Sequence, residues 1–537
     1  MGNFFGLRGN KLNYAISFIA GVDFLLFGYD QGVMGGILTM HDFLETFPSI
    51  NPRAAGLSAA EAATASTYQG IAVSCYNLGC FLGAIMAIWI GNPIGRKRMI
   101  ILGTSIMVVG AALQASAFTL SHFIFGRILT GVGNGLNTST VPTWQAETSK
   151  SHKRGKLVMI EGALIAGGIM VSNWVDLGFS LVGSSVSWRF PLAFQCFFCF
   201  WILAFVGGLP ESPRWLILKG KEAGARGVLA ALADLPAEDK RVQVEFDIIK
   251  VAALESSKGS FREVFTMNKD RNFHRALLGY MSQVFQQISG CNLITYYAPV
   301  ICANLGMSEF MALLLASCIA TEYFLISWPA VFIIERVGRR KLLLVGAAGQ
   351  AATMAVLAGV NSATSPSTQI AAIVFLFVFN TFFAFGWLGI PWLYPSEVVP
   401  LRIRAPANAL STSANWIFNF LVVMITPVAF ETIGYQTYVI FAVINAFMFV
   451  CVHLFWPETA YRSLEEIDCI FHRVEGHGGV KGYFSVVQAA RDEPRRYDKN
   501  GELLILDEES SAIGCIHPQI IIMITKSVSA VYSRTVQ

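Results

Sequence analysis

The sequence predicts an all-α integral membrane protein with twelve transmembrane helices in two six-helix halves. Of its 537 residues, 54% are hydrophobic and only 14% are charged, against roughly a quarter charged in an ordinary soluble domain. The 48 glycines fit this class, because glycine is common in transmembrane helices and lets them pack closely. An internal repeat indicates the two halves.

Twelve apolar stretches are long enough to cross roughly 30 Å of hydrocarbon. The first is too long for a signal peptide and lacks a small-residue cleavage site after it, so we expect it to remain as helix 1. The stretches, numbered here as helices 1 to 12, are 13–38, 67–90, 99–119, 122–145, 157–180, 190–209, 273–303, 309–334, 342–361, 369–395, 405–430 and 435–456.

The basic residues predict the orientation of the helices. Lysine and arginine cluster after helices 2, 4 and 8, whereas the turns after helices 3, 9 and 11 carry none. The positive-inside rule therefore places both termini and the central segment in the cytosol. The expected divisions are a cytosolic N-terminus (1–12), an N-terminal half (13–209), a cytosolic linker with short helices (210–272), a C-terminal half (273–456) and a cytosolic tail (457–537).

The tail ends in an apolar run at 513–524. This run is shorter than a membrane span and is interrupted by His517 and Pro518. A thirteenth transmembrane helix is therefore not expected.

Three short motifs occur once in each half, at nearly the same offset. Parallel repeats of this kind place a central site between two halves that rock against each other. The pairs are Gly95-Arg96-Lys97 with Gly338-Arg339-Arg340, Glu147 and Arg154 with Glu397 and Arg404, and Pro210-Glu211-Ser212 with Pro457-Glu458-Thr459.

The segments around the third pair of motifs, together with one segment of helix 7, resemble the signatures of sugar porters in the major facilitator superfamily, and these signatures span about residues 13–466. The resemblance implies a plasma-membrane carrier of a monosaccharide or polyol, working by alternating access as a monomeric transport unit. The segments that carry it are Pro210-Glu-Ser-Pro-Arg-Trp-Leu216, Gln286-Gln-Ile-Ser-Gly-Cys-Asn292 followed by Tyr296-Tyr297, and Pro457-Glu-Thr with Leu464-Glu-Glu466.

Substrate contacts are expected from polar side chains in helix 7. Gln286, Gln287 and Asn292, followed by Tyr297, lie in an otherwise apolar segment. Amide groups both donate and accept hydrogen bonds, as the hydroxyls of a neutral sugar require. The alternative is hydrogen bonding between helices.

The resemblance adds two sugar contacts, Trp392 on helix 10 and Asn415 on helix 11. An indole offers an apolar face to C–H groups, and an amide offers another partner to a hydroxyl. Trp387 and Trp416 are instead predicted to be packing residues.

Two acids depart from the pattern of hexose carriers. Glu161 precedes Gly162, where many sugar porters have glutamine, and Glu322 precedes Tyr323, where asparagine is usual. We include both acids in the predicted substrate site, since a carboxylate accepts strongly from hydroxyls. The alternatives are a protonated carboxyl or one that faces a neighbouring helix. The departure keeps a short polyol or an acidic sugar in consideration beside a hexose.

Asp30 on helix 1 and Arg127 on helix 4 are intramembrane charges that would be costly alone. An acid in helix 1 facing an arginine in helix 4 resembles the arrangement in proton-coupled sugar porters. The hypothesis is that protonation of Asp30 breaks its pairing with Arg127 and couples proton entry to substrate entry. The alternative is a static buried ion pair.

Charged residues at the cytosolic helix ends are expected to act as gating latches whose attraction is lost when that side opens. The N-terminal latch is expected to be weaker, because Asn92 stands where the family has an acid and Glu335 fills the equivalent position in the second half. The alternative is that these charges only set topology. The predicted latch residues are Arg96, Glu147, Arg154, Glu335, Arg339, Glu397 and Arg404.

The remaining function classes fit less well. An enzyme is not expected, since no paired nucleophile and base and no metal cluster are evident, and no cofactor is expected. Nucleic acid is not an expected partner, because the net charge of +4 is small and scattered. The expected partners are a sugar or polyol, a proton and the lipid bilayer. Proton symport is preferred over a facilitative uniporter, and a non-transporting nutrient sensor is less favoured because the tail shows no repeated docking motif.

Overall fold

The computed structural model describes residues 4–149, 154–257, 259–363, 365–462, 464–474 and 479–493. Every regular element within these ranges is helical. The apolar run at 513–524 lies outside them.

The N-terminal half contains six long helices. Helix 1 is separated from helix 2 by a short helix, His41–Thr46, and a 3₁₀ turn, Pro48–Ile50. The bounds are Gly9–Ile37, Ala59–Ile94, Arg96–Ala115, Leu120–Thr148, Arg154–Ser180 and Val186–Val206.

The C-terminal half repeats this arrangement with two interruptions. Helix 7 consists of helix 7a, Asn272–Ile288, and helix 7b, Cys291–Asn304, and helix 10 consists of helix 10a, Pro366–Gly386, and helix 10b, Ile390–Val398. The continuous helices are Glu309–Val337 (helix 8), Arg339–Asn361 (helix 9), Arg404–Ile433 (helix 11) and Gln436–Phe455 (helix 12).

Ten of these crossings are long and apolar enough to span a membrane by length and composition. The other two are helix 4, which has many polar residues and Pro142 in its interior, and the broken helix 7. The helices thus agree with the predicted twelve-helix, two-half class.

The two halves meet along two helix pairs. Helix 2 packs against helix 11, and helix 5 packs against helix 8. Within the N-terminal half, helix 1 packs along helix 5. Across the boundary between the halves, helix 1 also contacts helix 7b, and helix 5 contacts helix 10b.

Because twelve crossings return the chain to its starting side, helix 1 begins on the face where helix 12 ends. We call this the terminal face; it also carries the linker helices Pro213–Leu218, Glu222–Ala233 and Lys240–Ser257 and the tail helices Leu464–Arg473 and Gly479–Asp492. The side chain of Asn13 donates to the carbonyl of Leu232, and Arg275 pairs with Asp468 at 2.6 Å. The linker and the tail therefore pack on this face. The other face, which carries residues 38–58, is called the opposite face.

Candidate transport site

A chain of hydrogen-bonded side-chain amides lies between helices 7 and 11. Asn415 donates to Gln283 at 2.6 Å and to Gln286 at 3.0 Å. Gln287 donates to Gln286 at 3.2 Å, and Asn292 donates to Gln287 at 2.7 Å. We call these five residues the amide cluster. The structure thus brings together four predicted substrate contacts and adds Gln283, a polar residue in the same apolar stretch.

The breaks in helices 7 and 10 give the cluster its shape. Helix 7 is interrupted at Gly290, whose φ of +97° is left-handed, and the carbonyl of Ser289 accepts from Asn445 at 2.7 Å. At the break in helix 10, Gln286 donates to the carbonyls of Trp387 and Leu388 at 2.7 and 2.9 Å. Side chains therefore satisfy backbone groups that the breaks leave without helical partners.

The predicted aromatic contacts lie in different places. Tyr297 is buried in helix 7b and donates to the carbonyl of Val423 on helix 11 at 2.9 Å. Trp392 is half-buried in helix 10b, and no side-chain hydrogen bond of the described residues joins it to the amide cluster.

Trp416 is a packing residue, as predicted, and it packs across the interface between the halves. Its ring is 5.3 Å from that of Phe27 and 6.4 Å from that of Tyr76. Its indole N–H is buried and has no partner among the described residues. Trp387 behaves as predicted, since its N–H donates to the carbonyl of Leu343 at 3.1 Å.

The two predicted acids are separated by the structure. Glu161 is buried on helix 5, and its neighbour Gly162 packs against the break in helix 10 at Leu388 and Gly389. The residue next to Glu161 therefore contacts the part of helix 10 to which the amide cluster binds.

Glu322 lies elsewhere. It accepts from Thr381 at 2.7 Å and lines a groove with Trp174, Thr321 and Leu325, of which Leu325 is 61% exposed on the bundle surface. None of the hydrogen bonds recorded for the described residues joins it to the amide cluster. The sequence analysis placed Glu322 in the site because of its position along helix 8. In the structure, its side chain points toward helix 10a and the outer surface of the bundle.

Asp30 and Arg127 are both fully buried, but the predicted direct pair is not formed. Among the described residues, no ion pair within 4.0 Å joins a nitrogen of Arg127 to the Asp30 carboxylate. Tyr76 lies between them: its hydroxyl donates to Asp30 at 3.5 Å, and the Arg127 guanidinium lies 4.8 Å from its ring centroid. The two charges are therefore connected through a tyrosine, which the sequence prediction did not include.

The N-terminal half holds two further buried acids that the sequence analysis missed. Asp23 lies on helix 1 and accepts from Asn137 on helix 4 at 2.8 Å. Asp176 on helix 5 packs against Gly36. The available signal was position: Asp23 lies seven residues before Asp30, which places both on one face of helix 1.

The halves are joined near the opposite face by several hydrogen bonds. Tyr296 of helix 7b donates to Asn77 of helix 2 at 3.1 Å, and Ser317 of helix 8 donates to the carbonyl of Asn173 on helix 5 at 3.0 Å. Arg53, from the segment between helices 1 and 2, donates to Asn304 on helix 7b. The structure is therefore closed on this side, with Asp30 buried beneath the closure.

The predicted latches form within each half. Arg96 pairs with Glu147 at 3.1 Å, and Arg339 pairs with Glu335 at 2.7 Å and with Glu397 at 2.8 Å. The N-terminal cluster therefore has one carboxylate where the C-terminal cluster has two. Each pair joins helices of the same half, so these ion pairs do not bridge the halves.

The two remaining predicted latch residues, Arg154 and Arg404, begin helices 5 and 11. Arg404 donates to the carbonyl of Val399, five residues earlier, at 3.1 Å. The side chain of Arg154 lies outside the described residues.

The repeated acids of the proline-glutamate motifs cap two helices, a role the sequence analysis did not assign. Glu211 accepts from the backbone N–H of Arg96 at 3.2 Å, and Glu458 accepts from the N–H of Arg339 at 2.9 Å. A carboxylate at a helix N-terminus satisfies free N–H groups and complements the helix dipole. Burial raises the pKa of Glu211 above its usual value, while the hydrogen bonds from the backbone of Ser212 and Lys97 oppose this rise.

The capped helices each begin after a glycine with a left-handed backbone, at φ +96° for Gly95 and +97° for Gly338. A Cβ at either position would also press on the capping carboxylate. The glycine of each Gly-Arg motif is therefore required by the cap.

Comparison with known proteins agrees with this architecture. The family model described as "Sugar (and other) transporter" matches residues 16–471. The sugar transporter STL1 of Saccharomyces cerevisiae is 40% identical over 480 residues, which cover 88% of this chain and 84% of that protein. The high-affinity hexose transporter HXT6 of the same yeast is 31% identical over 467 residues, covering 83% and 79%.

A solved structure described as the major facilitator superfamily proton:xylose symporter XylE, bound to 6-bromo-6-deoxy-D-glucose, has the same fold. The TM-score is 0.73 at 24% identity, covering 86% of this chain and all of that chain. This likeness confirms the predicted twelve-helix fold. The protein therefore belongs to the sugar transporter family of the major facilitator superfamily, and it is a membrane transporter rather than an enzyme.

Proposed function

We propose that the protein takes up a monosaccharide or a polyol by proton symport with alternating access. The observation that carries the substrate class is the amide cluster, in which five neutral donor and acceptor groups lie together between helices 7 and 11 of the C-terminal half. Such groups match the hydroxyls of a neutral polyol. Relatives named as sugar and hexose transporters support this class.

The proposed substrate contacts are those nearest the cluster. Gln287, Asn292 and Asn415 bind hydroxyls, and Gln286 shapes the break in helix 10 that faces them. Trp392 and Tyr297 bound the site, and Glu161 supplies an acid at its edge. Glu322 is left out because it lies at the rim of the bundle.

Proton coupling is proposed to act at Asp30. Ionised Asp30 attracts Arg127, and neutral Asp30 does not. The separation of the two groups by Tyr76 is what we expect when Asp30 holds a proton and the opposite face is closed. Loss of that proton then restores the attraction and favours reopening. The solved symporter with the same fold is named as proton-coupled, which supports the proposal.

The proposed orientation places the terminal face in the cytosol and the protein in the plasma membrane. The basic clusters after helices 2, 4 and 8 lie on this face and support the assignment. Binding of substrate and proton from outside is followed by closure of the opposite face and release to the cytosol. The two latches, Arg96 with Glu147 and Arg339 with Glu335 and Glu397, are proposed to hold together the helix ends of their own half at the terminal face during this movement.

The proposal is tested by uptake of labelled hexoses, pentoses, disaccharides and glycerol into cells that lack their own sugar transporters, with and without a protonophore. We expect uphill accumulation that the protonophore abolishes. Asp30→Asn serves as the matched variant and is expected to equilibrate substrate without concentrating it. Uptake that is unaffected by the protonophore would show a uniporter. The absence of any uptake would indicate a sensor.

A further inference from the structure

We propose that a cavity at the opposite face is a second, outer binding site for a neutral sugar or polyol. The cavity lies between the two halves and has a volume of about 280 Å³, close to the roughly 300 Å³ at which small-molecule sites begin. We call it the outer cavity. The class of its ligand rests on the proposed function, whereas the site itself rests on the residues that line it.

Both halves contribute side chains to the outer cavity. Ser66 and Gln69 of helix 2 line it from the N-terminal half, and Tyr297 of helix 7b and Phe430 of helix 11 line it from the C-terminal half. Asn292 of the amide cluster lies five residues before Tyr297 on helix 7b, about 7.5 Å along the helix. The outer cavity therefore lies next to the proposed substrate site, on its side toward the opposite face.

The polar groups in the buried part of the cavity are neutral and lack partners. Ser66 is 1% exposed and Gln69 is 5% exposed, and their spacing of three residues places them on one face of helix 2. Among the described residues, no hydrogen bond joins either side chain to another group of the protein. Buried polar groups without partners are costly, so a molecule in the cavity that supplies these hydrogen bonds is stabilised there.

The charged residues of the outer cavity lie at its mouth. Arg53, Glu309 and Glu431 line it, and all three are exposed. Arg53 donates to the carbonyl of Val300 at 3.3 Å and to the side chain of Asn304, so it links the two halves beside the opening. One cation beside two carboxylates does not favour an anion. The buried part, which offers only neutral groups, decides in favour of a neutral ligand.

The lining combines the two kinds of contact that a sugar or polyol needs. A serine hydroxyl both donates and accepts, and a glutamine amide carries two donors and an acceptor, so the pair can bind adjacent hydroxyls. Phe430 is half-buried, and its ring offers an apolar face to C–H groups. The amide cluster and the outer cavity thus present similar chemistry at successive levels of the bundle.

The position of the outer cavity gives it a role. The hydrogen bond between Tyr296 and Asn77 closes the halves, and Asn77 lies eight residues beyond Gln69 on helix 2, about 12 Å deeper. A molecule in the outer cavity is therefore outside this closure, beside helix 7b. It is held at the entrance until the opposite face next opens, which raises the local concentration of substrate for the amide cluster.

The first experiment measures binding without transport. The Ser66→Cys variant is labelled with a water-soluble maleimide in the purified full-length protein in lipid nanodiscs, with and without excess D-glucose, D-xylose or glycerol. The unsubstituted protein gives the background from the native cysteines. Thr64→Cys is the matched control, because Thr64 lies on the same helix but is exposed on another side. We expect at least one of the three compounds to slow the labelling of Ser66→Cys and not that of Thr64→Cys.

The labelling is repeated with Gln287→Ala and Asn292→Ala added, which removes two proposed contacts of the amide cluster. Protection should persist. Addition of Gln69→Leu, which has a similar size, should raise the concentration for half protection about fivefold, as expected for one lost hydrogen bond. Protection that disappears with the amide contacts would place the bound molecule at the central site and overturn the proposal. Protection by none of the three compounds, or by sodium sulfate alone, would also overturn it.

The second experiment measures uptake kinetics in proteoliposomes. Gln69→Leu should raise KM about fivefold for the same reason and leave kcat and the unfolding temperature unchanged, since Gln69 makes no hydrogen bond that the substitution would break. A lower kcat with unchanged KM would overturn a binding role for Gln69. If the wild-type protein transports none of the compounds but labelling is still protected, the proposed transport function fails and the outer site stands. Transport without protection overturns the outer site alone.

Discussion

Gln286 and Gln287 are adjacent in helix 7, but truncation of one or the other leaves different groups without a hydrogen-bond partner. Gln286 makes four side-chain hydrogen bonds, two of them to the carbonyls of Trp387 and Leu388 at the break in helix 10. Gln287 makes two, to Gln286 and from Asn292. After loss of Gln287, Gln286 keeps Asn415 as a partner and Asn292 keeps the backbone carbonyl of residue 287.

These counts give different costs for alanine substitution. Each buried carbonyl left without a donor costs about 1–3 kcal/mol, so the loss of both carbonyl contacts in Gln286→Ala should destabilise the protein by about 2–6 kcal/mol and lower the transport rate for every substrate. Gln287→Ala should cost about 1 kcal/mol of stability. Its main effect should be on KM, which rises about fivefold for each hydroxyl contact of about 1 kcal/mol that is lost.

The assay combines uptake kinetics with thermal unfolding of the purified variants. Gln350→Ala is a matched control, because Gln350 is fully buried on helix 9 and its amide has no partner among the described residues. That substitution removes the same volume without breaking a hydrogen bond. The reasoning is refuted if Gln286→Ala unfolds like Gln350→Ala and changes only KM, since the Gln286 amide would then act on the substrate alone.

Three further outcomes are expected. Glu397→Gln should destabilise the protein by about 2 kcal/mol and Glu335→Gln by less than about 1 kcal/mol in thermal unfolding, because the Glu335 side chain is 46% exposed and that of Glu397 only 21%; equal effects would contradict this ranking. Tyr76→Phe should keep equilibrative uptake but shift its pH dependence, because the bridge between Asp30 and Arg127 loses its hydroxyl; an unchanged pH profile would exclude that bridge. Glu322→Gln should leave the order of preferred sugars unchanged in competition assays, and a new preference would return Glu322 to the substrate site.

Periodicity, composition and repeats were sufficient to predict the helices. Each predicted apolar stretch corresponds to an observed helix or broken helix, and the class was confirmed by the fold comparison. The breaks in helices 7 and 10 were not predicted. Their local signals, Ser289-Gly290 and Gly389-Ile390-Pro391, do not differ from glycine and proline positions that continuous helices tolerate elsewhere in the chain.

The structure brings together some of the predicted site residues and separates others. Polar groups in an apolar segment need partners, and the predicted amides of helix 7 lie in one hydrogen-bonded cluster. Glu322 bonds Thr381 instead, since a position along a helix does not give the direction of the side chain. Asp30 and Arg127 do not pair directly, because Tyr76 intervenes from helix 2. Contacts between elements distant in sequence decide these cases, and a single sequence does not contain them.

The two halves differ in their helix breaks and in their buried acids. Helices 7 and 10 are broken, with their free carbonyls held by side-chain amides, whereas their counterparts, helices 1 and 4, run without interruption. Conversely, among the described residues, the buried acids of the twelve-helix bundle are Asp23, Asp30, Glu161 and Asp176, all in the N-terminal half. The helix breaks thus lie in one half and the buried acids of the bundle in the other. A chimera that joins this C-terminal half to the N-terminal half of another carrier should keep the sugar preference of the first and adopt the driving ion of the second.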